Sequence, residues 1–202
     1  MHIICSDLEG VFVPEIWINV AEHTGIDELR LTTRDISDYD VLMKRRLSIL
    51  DANGLTLKDI TDVVATMNPL PGARAFLDWL RARTQVIVVS DTYLEFVRPL
   101  MQKLGWPTLL CHELTIDEGG AIAGYTLRQT DGKRKVVQAF KELNYRVLAM
   151  GDSYNDVAML TEAHQGVLFC PPRNVIDEYP QFPVARTYDD LKQIFGRAFL
   201  EG

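Results

Sequence analysis

The sequence predicts an α/β fold, a Rossmann-like parallel sheet flanked by helices, with a small all-helical cap inserted after the first strand. Three short apolar runs, at 3–5, 86–89 and 147–150, are each followed by carboxylate or hydroxyl side chains. Runs this short are typical of buried parallel strands, whose carboxyl ends share one edge of the sheet. Helical patterns separate the runs, as crossover connections require. The polar side chains should therefore meet at one site.

The segment from about 14 to 70 contains helical patterns and no strand-like run. Apolar residues at helical spacing cover 15–23, 40–50 and about 56–67. Gly25 should end the first of these helices, and Thr56 is a suitable N-cap for the third. We therefore expect a helical cap made of 14–70, inserted into a catalytic core made of 1–13 and 71–202.

Helices and strands alternate along the rest of the chain. The predicted helices cover 73–83, about 93–104, 131–143, about 155–163 and 188–200, and the later strands begin at 109, 147 and 167, with a hairpin over 114–127. Asp131 is a candidate N-cap for the helix that follows it. This alternation is what a mainly parallel sheet requires.

Composition limits the classes of function. The chain has 202 residues, 47% of them apolar and 24% charged, with a formal net charge of −7. That charge argues against nucleic acid and anionic membranes as partners. We predict neither a membrane span nor a signal peptide, and hence a cytoplasmic protein. Cys5, Cys111 and Cys170 are predicted to be buried free thiols in a reducing compartment.

Two carboxylates, Asp7 and Glu9, stand two residues apart at the end of the first strand. A carboxylate is a competent nucleophile towards phosphorus and forms an aspartyl-phosphate, so Asp7 is the candidate nucleophile. Glu9 is the candidate acid that protonates the leaving oxygen and then deprotonates the incoming water or alcohol. The alternative is a pair of solvated acids in a strand-to-loop turn.

A second acidic pair, Asp152 and Asp156, follows the third run. Four residues separate the two aspartates, so they share a face once the second has entered a helix. Oxygen ligands suit Mg²⁺, and we expect Asp7, Asp152 and the backbone carbonyl of Glu9 to bind it. Asp156 is expected to orient a water or Asp152 from behind. The alternative is a polar loop at the start of a helix.

Ser90 and Lys133 are candidates for holding a phosphoryl group. Ser90 can donate a hydrogen bond to a phosphoryl oxygen. Lys133 lies near a helix start, where the helix dipole disfavours a cation, and a bound anion would explain that placement. Asp91 and Asn155 are further candidates for contact with substrate or phosphate. The alternatives are a turn serine and a solvated lysine in the basic run 133–135.

Taken in order, these motifs resemble the haloacid dehalogenase superfamily of phosphohydrolases. A carboxylate pair, a serine, a lysine and Gly-Asp-x-x-x-Asp follow one another between residue 2 and about 170. The resemblance implies a Rossmann-like core, an Mg²⁺-dependent nucleophile at Asp7 and a small helical cap that closes over the substrate. A haloacid dehalogenase proper fits less well, because the carboxylate pair and the later aspartates suit Mg²⁺ and phosphate.

Within that superfamily the chain resembles the phosphoserine phosphatase branch. There, a cap glutamate and a cap arginine bind the ammonium and the carboxylate of the amino acid, and Glu15 and Arg46 stand at the matching positions. An arginine can grip a carboxylate through two N–H groups, and a glutamate can pair with ammonium. The alternative for both residues is a solvated helix face.

The chain also departs from that branch. Glu9 replaces its usual second aspartate, and Asp91 and Thr92 follow Ser90 where it typically carries glycines. The Asp-Leu-Glu-Gly variant resembles bifunctional bacterial members that also transfer phosphate from phosphoserine to homoserine. The longer side chain of Glu9 is expected to favour an alcohol acceptor over water.

The resemblance thus implies an enzyme, a phosphomonoesterase that releases phosphate from L-phosphoserine and also transfers it to homoserine. Two alternatives stay open. One is a phosphatase for another small phosphomonoester, and the other is a binding or receiver-like module in which Asp7 is only phosphorylated. Glu9 and the cap argue against the module, since a receiver needs no lid. We assign no chemistry to the four histidines. The sequence does not decide whether the protein forms a homodimer.

Overall fold

The computed structural model describes residues 1–32, 35–36 and 38–200. The strands are β1 (His2–Ser6), β2 (Gln85–Tyr93), β3 (Thr108–Ile116), β4 (Ile122–Thr126), β5 (Arg146–Gly151), β6 (Gln165–Phe169) and β7 (Val184–Ala185). The α-helices are α1 (Ile16–Thr24), α2 (Tyr39–Ala52), α3 (Leu57–Thr66), α4 (Ala73–Arg81), α5 (Leu94–Lys103), α6 (Gly132–Glu142), α7 (Val157–Glu162), α8 (Arg173–Glu178) and α9 (Tyr188–Leu200). Short 3₁₀ helices cover Asp27–Arg30 and Tyr154–Asp156. The predicted cap and core ranges also include residues 33, 34, 37, 201 and 202, which lie outside the described residues.

The strands form one sheet in the order β4-β3-β2-β1-β5-β6-β7. Neighbouring strands are parallel except in the β3–β4 hairpin, which is antiparallel. The central strand β1 lies between β2 and β5, and Ser6 pairs in register with Val88 and Met150. The three apolar runs are therefore neighbours whose carboxyl ends share one edge, as predicted.

Both faces of the sheet are covered. Side chains of β1 alternate between two buried clusters, with Ile4 in one and Ile3 and Cys5 in the other. This alternation follows from the two-residue period of a strand, and burial on both faces explains why the run is continuously apolar. The predicted fold class is confirmed. Among the described helices, none combines the length and apolar character needed to cross a bilayer.

The described part of the insertion between β1 and α4 is helical, as predicted. Gly25, in the left-handed conformation at φ 72°, ends α1, and the Asp59 carboxylate accepts from the Thr56 amide at 2.7 Å to start α3. Buried side chains of the insertion and of the sheet domain belong to one cluster. At its rim, Lys103 of α5 donates to the carbonyl of Ala65 at 2.8 Å. The division into a cap and a core stays a prediction.

Several local predictions were wrong. Strand β2 does not end at residue 89 but continues through Ser90 to Tyr93, with a shift of register against β3 after Val89. Asp131 stands at the N-cap of α6 but makes no capping hydrogen bond through its side chain, because its backbone is left-handed (φ 54°) and its carboxylate pairs with Arg134.

The last part of the chain contains two further misses. Helix α8 and the two-residue strand β7 were not predicted, since elements this short carry too few residues to show a period. Cys170 is exposed, in contrast to Cys5 and Cys111. It stands just after β6, where the chain leaves the sheet and the apolar pattern no longer implies burial.

Candidate active site

Asp7 occupies the centre of the carboxyl edge of the sheet. Its amide continues the β1–β5 ladder by donating to the Met150 carbonyl at 3.0 Å. Its side chain is buried, and Oδ1 accepts from the Leu8 amide at 2.8 Å. The same oxygen lies 3.0 Å from Nζ of Lys133. The carboxylate is therefore held in one orientation by strand, amide and ammonium.

Lys133 joins Asp7 to Asp156. Its side chain, second in α6, is only 6% exposed, and Nζ lies 2.7 Å from Oδ1 of Asp156. The other oxygen of Asp156 accepts from the amides of Asp152 and Ser153, at 2.9 and 3.2 Å. Both oxygens of Asp156 are thus engaged by protein donors. Asp156 consequently shapes the loop that presents Asp152, a placement consistent with its predicted supporting role.

The electrostatics of this group call for an additional positive charge. Burial, followed by the charge of Asp156, raises the pKa of Asp7 well above its ordinary value, despite the opposing effect of Lys133. Burial alone would lower the pKa of Lys133, but the charges of Asp156, Asp7 and Asp91 raise it well above its ordinary value. Burial and the neighbouring carboxylates therefore disfavour the ionised form of Asp7, and a further positive charge beside it would favour that form.

A divalent cation fits that requirement. Carboxylate oxygens of Asp7, Asp152 and Asp156 lie within 4.8 Å of one another, and all three residues are buried. Buried acids at this spacing are costly unless a cation binds between them. An all-oxygen set of this kind suits Mg²⁺. The donor set therefore fits the metal that the sequence predicts.

Two glycines allow the carboxylates to approach this closely. Gly10 has a φ of +73°, and a Cβ there would lie 2.5 Å from Cγ of Asp152. A Cβ on Gly151 would lie 2.3 Å from Cγ of Asp156. Both distances are shorter than a contact between non-bonded carbon atoms, so the backbone of each glycine forms part of the wall that positions a carboxylate.

We expect Gly10→Ala to reduce both stability and metal-dependent activity. The variant combines left-handed strain, about 1–2 kcal/mol, with an overpacking cost of roughly 1–3 kcal/mol as Asp152 is displaced. Gly25→Ala is a matched control, because Gly25 has a φ of +72° with nothing within 4 Å of the added Cβ. Chemical denaturation should show a loss of stability in both variants. Titration of activity with Mg²⁺ should show a weaker response in Gly10→Ala alone. Equal Mg²⁺ responses would contradict the role of Gly10.

Glu9 links the strand edge to the helical insertion. Its Oε2 accepts from the amide of Ile16, the first residue of α1, at 2.7 Å. Burial, followed by the charge of Glu15, raises the pKa of Glu9 to about 8, even though the Ile16 amide, Arg46 and Lys133 oppose the shift. Glu9 is consequently protonated at neutral pH, the state that a general acid requires.

One pocket joins this acidic edge to the insertion. Its walls include Asp7, Asp152 and Ser90 from the sheet and Glu15 and Arg46 from the insertion. A ligand in the pocket would therefore touch the phosphoryl-site candidates at one end and the predicted amino-acid-binding pair at the other.

Arg46 is buried at 6% exposure, and its guanidinium lies 4.5 Å from the centre of the Trp17 ring. One terminal nitrogen donates to the Leu31 carbonyl at 2.8 Å, while the buried Nε has no hydrogen-bond partner among the described residues. A buried donor left unpaired is costly, so this arginine is suited to receiving an acceptor from a ligand. Trp17 is itself buried and also lines the pocket.

Ser90, Asp91 and Asn155 complete the sheet side of the pocket. Oγ of Ser90 accepts from the Thr92 amide at 3.2 Å, which leaves its hydroxyl proton available for a ligand. Nδ2 of Asn155 donates to Asp91 at 3.1 Å. Eight of the ten predicted site residues therefore line one pocket, and the other two, Lys133 and Asp156, form the buried ion pairs described above.

The sequence did not indicate Tyr39, His112 or Thr32 as site residues. Tyr39 and Thr32 line the pocket, and His112 lies 3.4 Å from Asp91 through Nε2. None of them stands in a motif or next to one, and each reaches the site only through the packing of α2, β3 or the loop before α2. A polar residue within the otherwise apolar start of β3 was the available signal for His112.

Comparison with known proteins shows the family to which the chain belongs. Residues 4–164 match the family of haloacid dehalogenase-like hydrolases. The phosphoserine phosphatase ThrH of Pseudomonas aeruginosa is 63% identical over 198 residues, 98% of this chain and 97% of that protein. A phosphoserine phosphatase of Pseudomonas syringae pv. tomato is 60% identical over 198 residues, 98% of this chain and 84% of that protein.

Solved structures show the same fold. A crystal structure of a phosphoserine phosphatase in the apo form matches with a TM-score of 0.76 at 20% identity, over 96% of this chain and 98% of that chain. A phospho-aspartyl intermediate analogue of phosphoserine phosphatase matches with a TM-score of 0.77 at 18% identity, over the same shares of the two chains. At these identities the likeness concerns the fold alone.

Proposed function

This chain belongs to the haloacid dehalogenase-like hydrolases and, within them, to the phosphoserine phosphatases. From that premise we propose that it hydrolyses L-phosphoserine and passes the phosphoryl group to homoserine as well as to water. The observation that carries the proposal is the two-ended pocket. Asp7, Ser90 and Asp152 line one end, and Glu15 and Arg46 line the other. A phosphorylated amino acid has the matching groups, a phosphate at one end and an ammonium and a carboxylate at the other.

The reaction begins at Asp7. A carboxylate oxygen attacks phosphorus, the ester P–O bond breaks, and Glu9 gives its proton to the departing serine oxygen. The raised pKa of Glu9, about 8, keeps that proton available at neutral pH. Lys133, 3.0 Å from Asp7, and Ser90 hold the phosphoryl oxygens in line with the attack.

The second half of the reaction discharges the aspartyl-phosphate. Glu9, now a carboxylate, takes a proton from water or from the homoserine hydroxyl as that oxygen attacks phosphorus. The bond to Asp7 breaks, which releases inorganic phosphate or phosphohomoserine and regenerates both carboxyl groups. The hydrogen bond from Ile16 keeps Glu9 facing the pocket through both steps.

Mg²⁺ would be held by Asp7, Asp152 and the backbone carbonyl of Glu9, with Asp156 supporting Asp152. When bound, it would neutralise negative charge on the carboxylates and on the phosphoryl oxygens. The pKa of Asp7 is raised in the protein without metal, which supports the proposal that a cation binds beside this carboxylate.

The primary experiment measures phosphate release from L-phosphoserine in Mg²⁺, with and without homoserine. Turnover supports the phosphatase proposal, and phosphohomoserine among the products supports transfer. Release from p-nitrophenyl phosphate but not from phosphoserine would select a phosphatase for another phosphomonoester. A single phosphorylation of Asp7 without turnover would select a receiver-like module.

Glu9→Asp tests whether the longer acid favours the alcohol acceptor. Shortening the side chain withdraws the carboxyl group from the Ile16 amide, which it now reaches at 2.7 Å, and leaves more room for water. We expect the ratio of phosphohomoserine to free phosphate to fall, and product analysis at fixed homoserine concentration measures it. An unchanged ratio would show that the extra methylene has no part in acceptor choice.

Arg46→Lys should separate amino-acid recognition from phosphoryl transfer. Lysine cannot reproduce the planar fork that grips a carboxylate, so kcat/KM for phosphoserine is expected to fall about 10–100-fold, the cost of 1.5–3 kcal/mol for a hydrogen bond to a charged group. Turnover of p-nitrophenyl phosphate, which has no carboxylate, should change little. Arg45→Lys, at the exposed neighbouring position, is the control. Equal losses on both substrates would argue against Arg46 as the carboxylate site.

A further inference from the structure

Asp91, which is partly exposed, and the buried His112 form a pair next to the phosphoryl end of the pocket. We propose that this pair is a positioning unit, in which His112 orients Asp91 and Asp91 in turn holds Lys133 and Asn155 in place for phosphoryl transfer. The inference rests on the proposed function, because it concerns the group that is transferred.

The Asp91 carboxylate is surrounded by positive or hydrogen-donating groups. Its Oδ2 lies 3.1 Å from Nδ2 of Asn155 and 3.9 Å from Nζ of Lys133, and its Oδ1 lies 3.4 Å from Nε2 of His112. Burial would raise the pKa of Asp91, but the charge of Lys133 and the hydrogen bonds from His112 and Asn155 bring it below its ordinary value. Asp91 is therefore an anion, and an anion repels phosphate, so orienting its neighbours suits it better than binding the phosphoryl group.

The hydrogen bonds of His112 define which nitrogen faces Asp91 as the donor. Nδ1 accepts from the Arg128 amide at 3.2 Å, so the proton of the neutral ring is on Nε2, the atom that points at Asp91. The residue is buried at 7% exposure, and its ring packs against Tyr39 and Tyr93 with centroids 6.2 and 6.0 Å away. The orientation of the ring is consequently fixed by its polar contacts with Arg128 and Asp91 and by packing against two tyrosines.

The main chain of Asp91 is fixed as well. The Tyr39 hydroxyl donates to the Asp91 carbonyl oxygen at 2.8 Å. Tyr39 is the first residue of α2, the helix that carries Arg46. The helical insertion therefore holds the backbone of Asp91, while β3 holds its side chain through His112.

Lys133 and Asn155 both depend on this anchor. Lys133 must satisfy Asp7 and Asp156, at 3.0 and 2.7 Å, while presenting a third N–H to the phosphoryl group. The charge of Asp91, 3.9 Å from Nζ, attracts the ammonium as well. The Asn155 amide is held at both ends, since its Oδ1 accepts from Ser153 at 2.6 Å and its Nδ2 donates to Asp91.

The test compares His112→Phe with His112→Gln. Phenylalanine keeps the ring packing but removes the donor to Asp91, whereas glutamine places an amide N–H near the position of Nε2. Both variants lose the acceptor for the Arg128 amide, so the difference between them isolates the N–H group that faces Asp91. His23→Gln, on the exposed face of α1, is the control.

We expect His112→Phe to lower kcat about 10–100-fold, the usual effect of removing a group that orients a reacting residue, with little change in KM. His112→Gln should recover most of that loss. Asp91→Asn should lower kcat similarly, and the double variant Asp91→Asn/His112→Phe should be no slower than the slower single variant, because the two residues act as one unit. An additive double variant, or a glutamine variant as slow as the phenylalanine variant, would overturn the proposal.

The choice of substrate separates this inference from the proposed function. All variants are assayed with both phosphoserine and p-nitrophenyl phosphate. If only p-nitrophenyl phosphate is hydrolysed, phosphoserine is refuted as the substrate, and the effect of the Asp91–His112 pair on kcat can still be measured. If neither ester is hydrolysed, calorimetric binding of inorganic phosphate in Mg²⁺ replaces kcat. Weaker binding to His112→Phe that is restored in His112→Gln supports the pair, and equal binding to all variants refutes it.

Discussion

Lys133→Met is expected to destabilise the protein by about 3–5 kcal/mol, because it removes one partner from buried ion pairs and leaves the other partner uncompensated. The partners are Asp7 and Asp156, which lie 3.0 and 2.7 Å from Nζ. Methionine retains the unbranched apolar stem of lysine and is only one atom shorter, so the loss of charge is the main change. Urea unfolding at neutral pH measures the effect.

The same substitution should reduce phosphatase activity at least about 100-fold, the typical cost of losing a charged donor that stabilises a transition state. Lys135→Met is the control within the same basic run. Lys135 is exposed, so its replacement should change stability by no more than about 0.5 kcal/mol and leave turnover unaltered. Similar behaviour of the two variants would show that Lys133 carries neither the ion pairs nor the phosphate contact.

Asp7→Asn is expected to abolish turnover, with a loss on the order of 10⁴-fold or more, as the removal of a covalent nucleophile generally causes. Its effect on stability should be small or favourable in the absence of metal. Burial and the charges of Asp156 and Asp152 disfavour the ionised form of Asp7, and the neutral amide removes that repulsion. Phosphoserine turnover and thermal unfolding without Mg²⁺ measure the two effects.

Asp156→Asn provides the comparison for this variant. Asp156 accepts from two backbone amides and pairs with Lys133, so its replacement should lower stability as well as activity. A loss of activity without destabilisation therefore identifies the nucleophile, and a loss of both identifies the supporting carboxylate. An Asp7→Asn protein that retains measurable phosphoserine hydrolysis would contradict the assignment of the nucleophile.

The arrangement of the sheet was accessible from sequence because it depends on local patterns. The runs before Asp7, Ser90 and Gly151 are apolar and short, and parallel strands bring their carboxyl ends to one edge whatever the details of the packing. The helical insertion was equally accessible, since Gly25 and Thr56 mark helix ends by their backbone chemistry alone. What remained hidden was where that insertion packs on the sheet.

Contacts between distant segments account for the rest of the site. Asp91 is the clearest case, because its sequence position next to Ser90 suggested a phosphate contact, whereas its neighbours are His112, Asn155 and Lys133. Twenty-one to sixty-four positions along the chain separate Asp91 from these residues. No local period or motif in the sequence predicts contacts between residues so far apart in the chain.

The sequence by itself determined the fold class, the edge at which the acids collect and the chemical type of each group there. Short-range propensity and the period of apolar residues are sufficient for those features. Only the tertiary structure decided that Glu9 accepts from the first amide of α1, that Arg46 is buried against Trp17 and that His112 lies beside Asp91. These contacts depend on side-chain direction and packing between elements far apart in the chain, and the free energy of such packing is a property of the whole folded molecule.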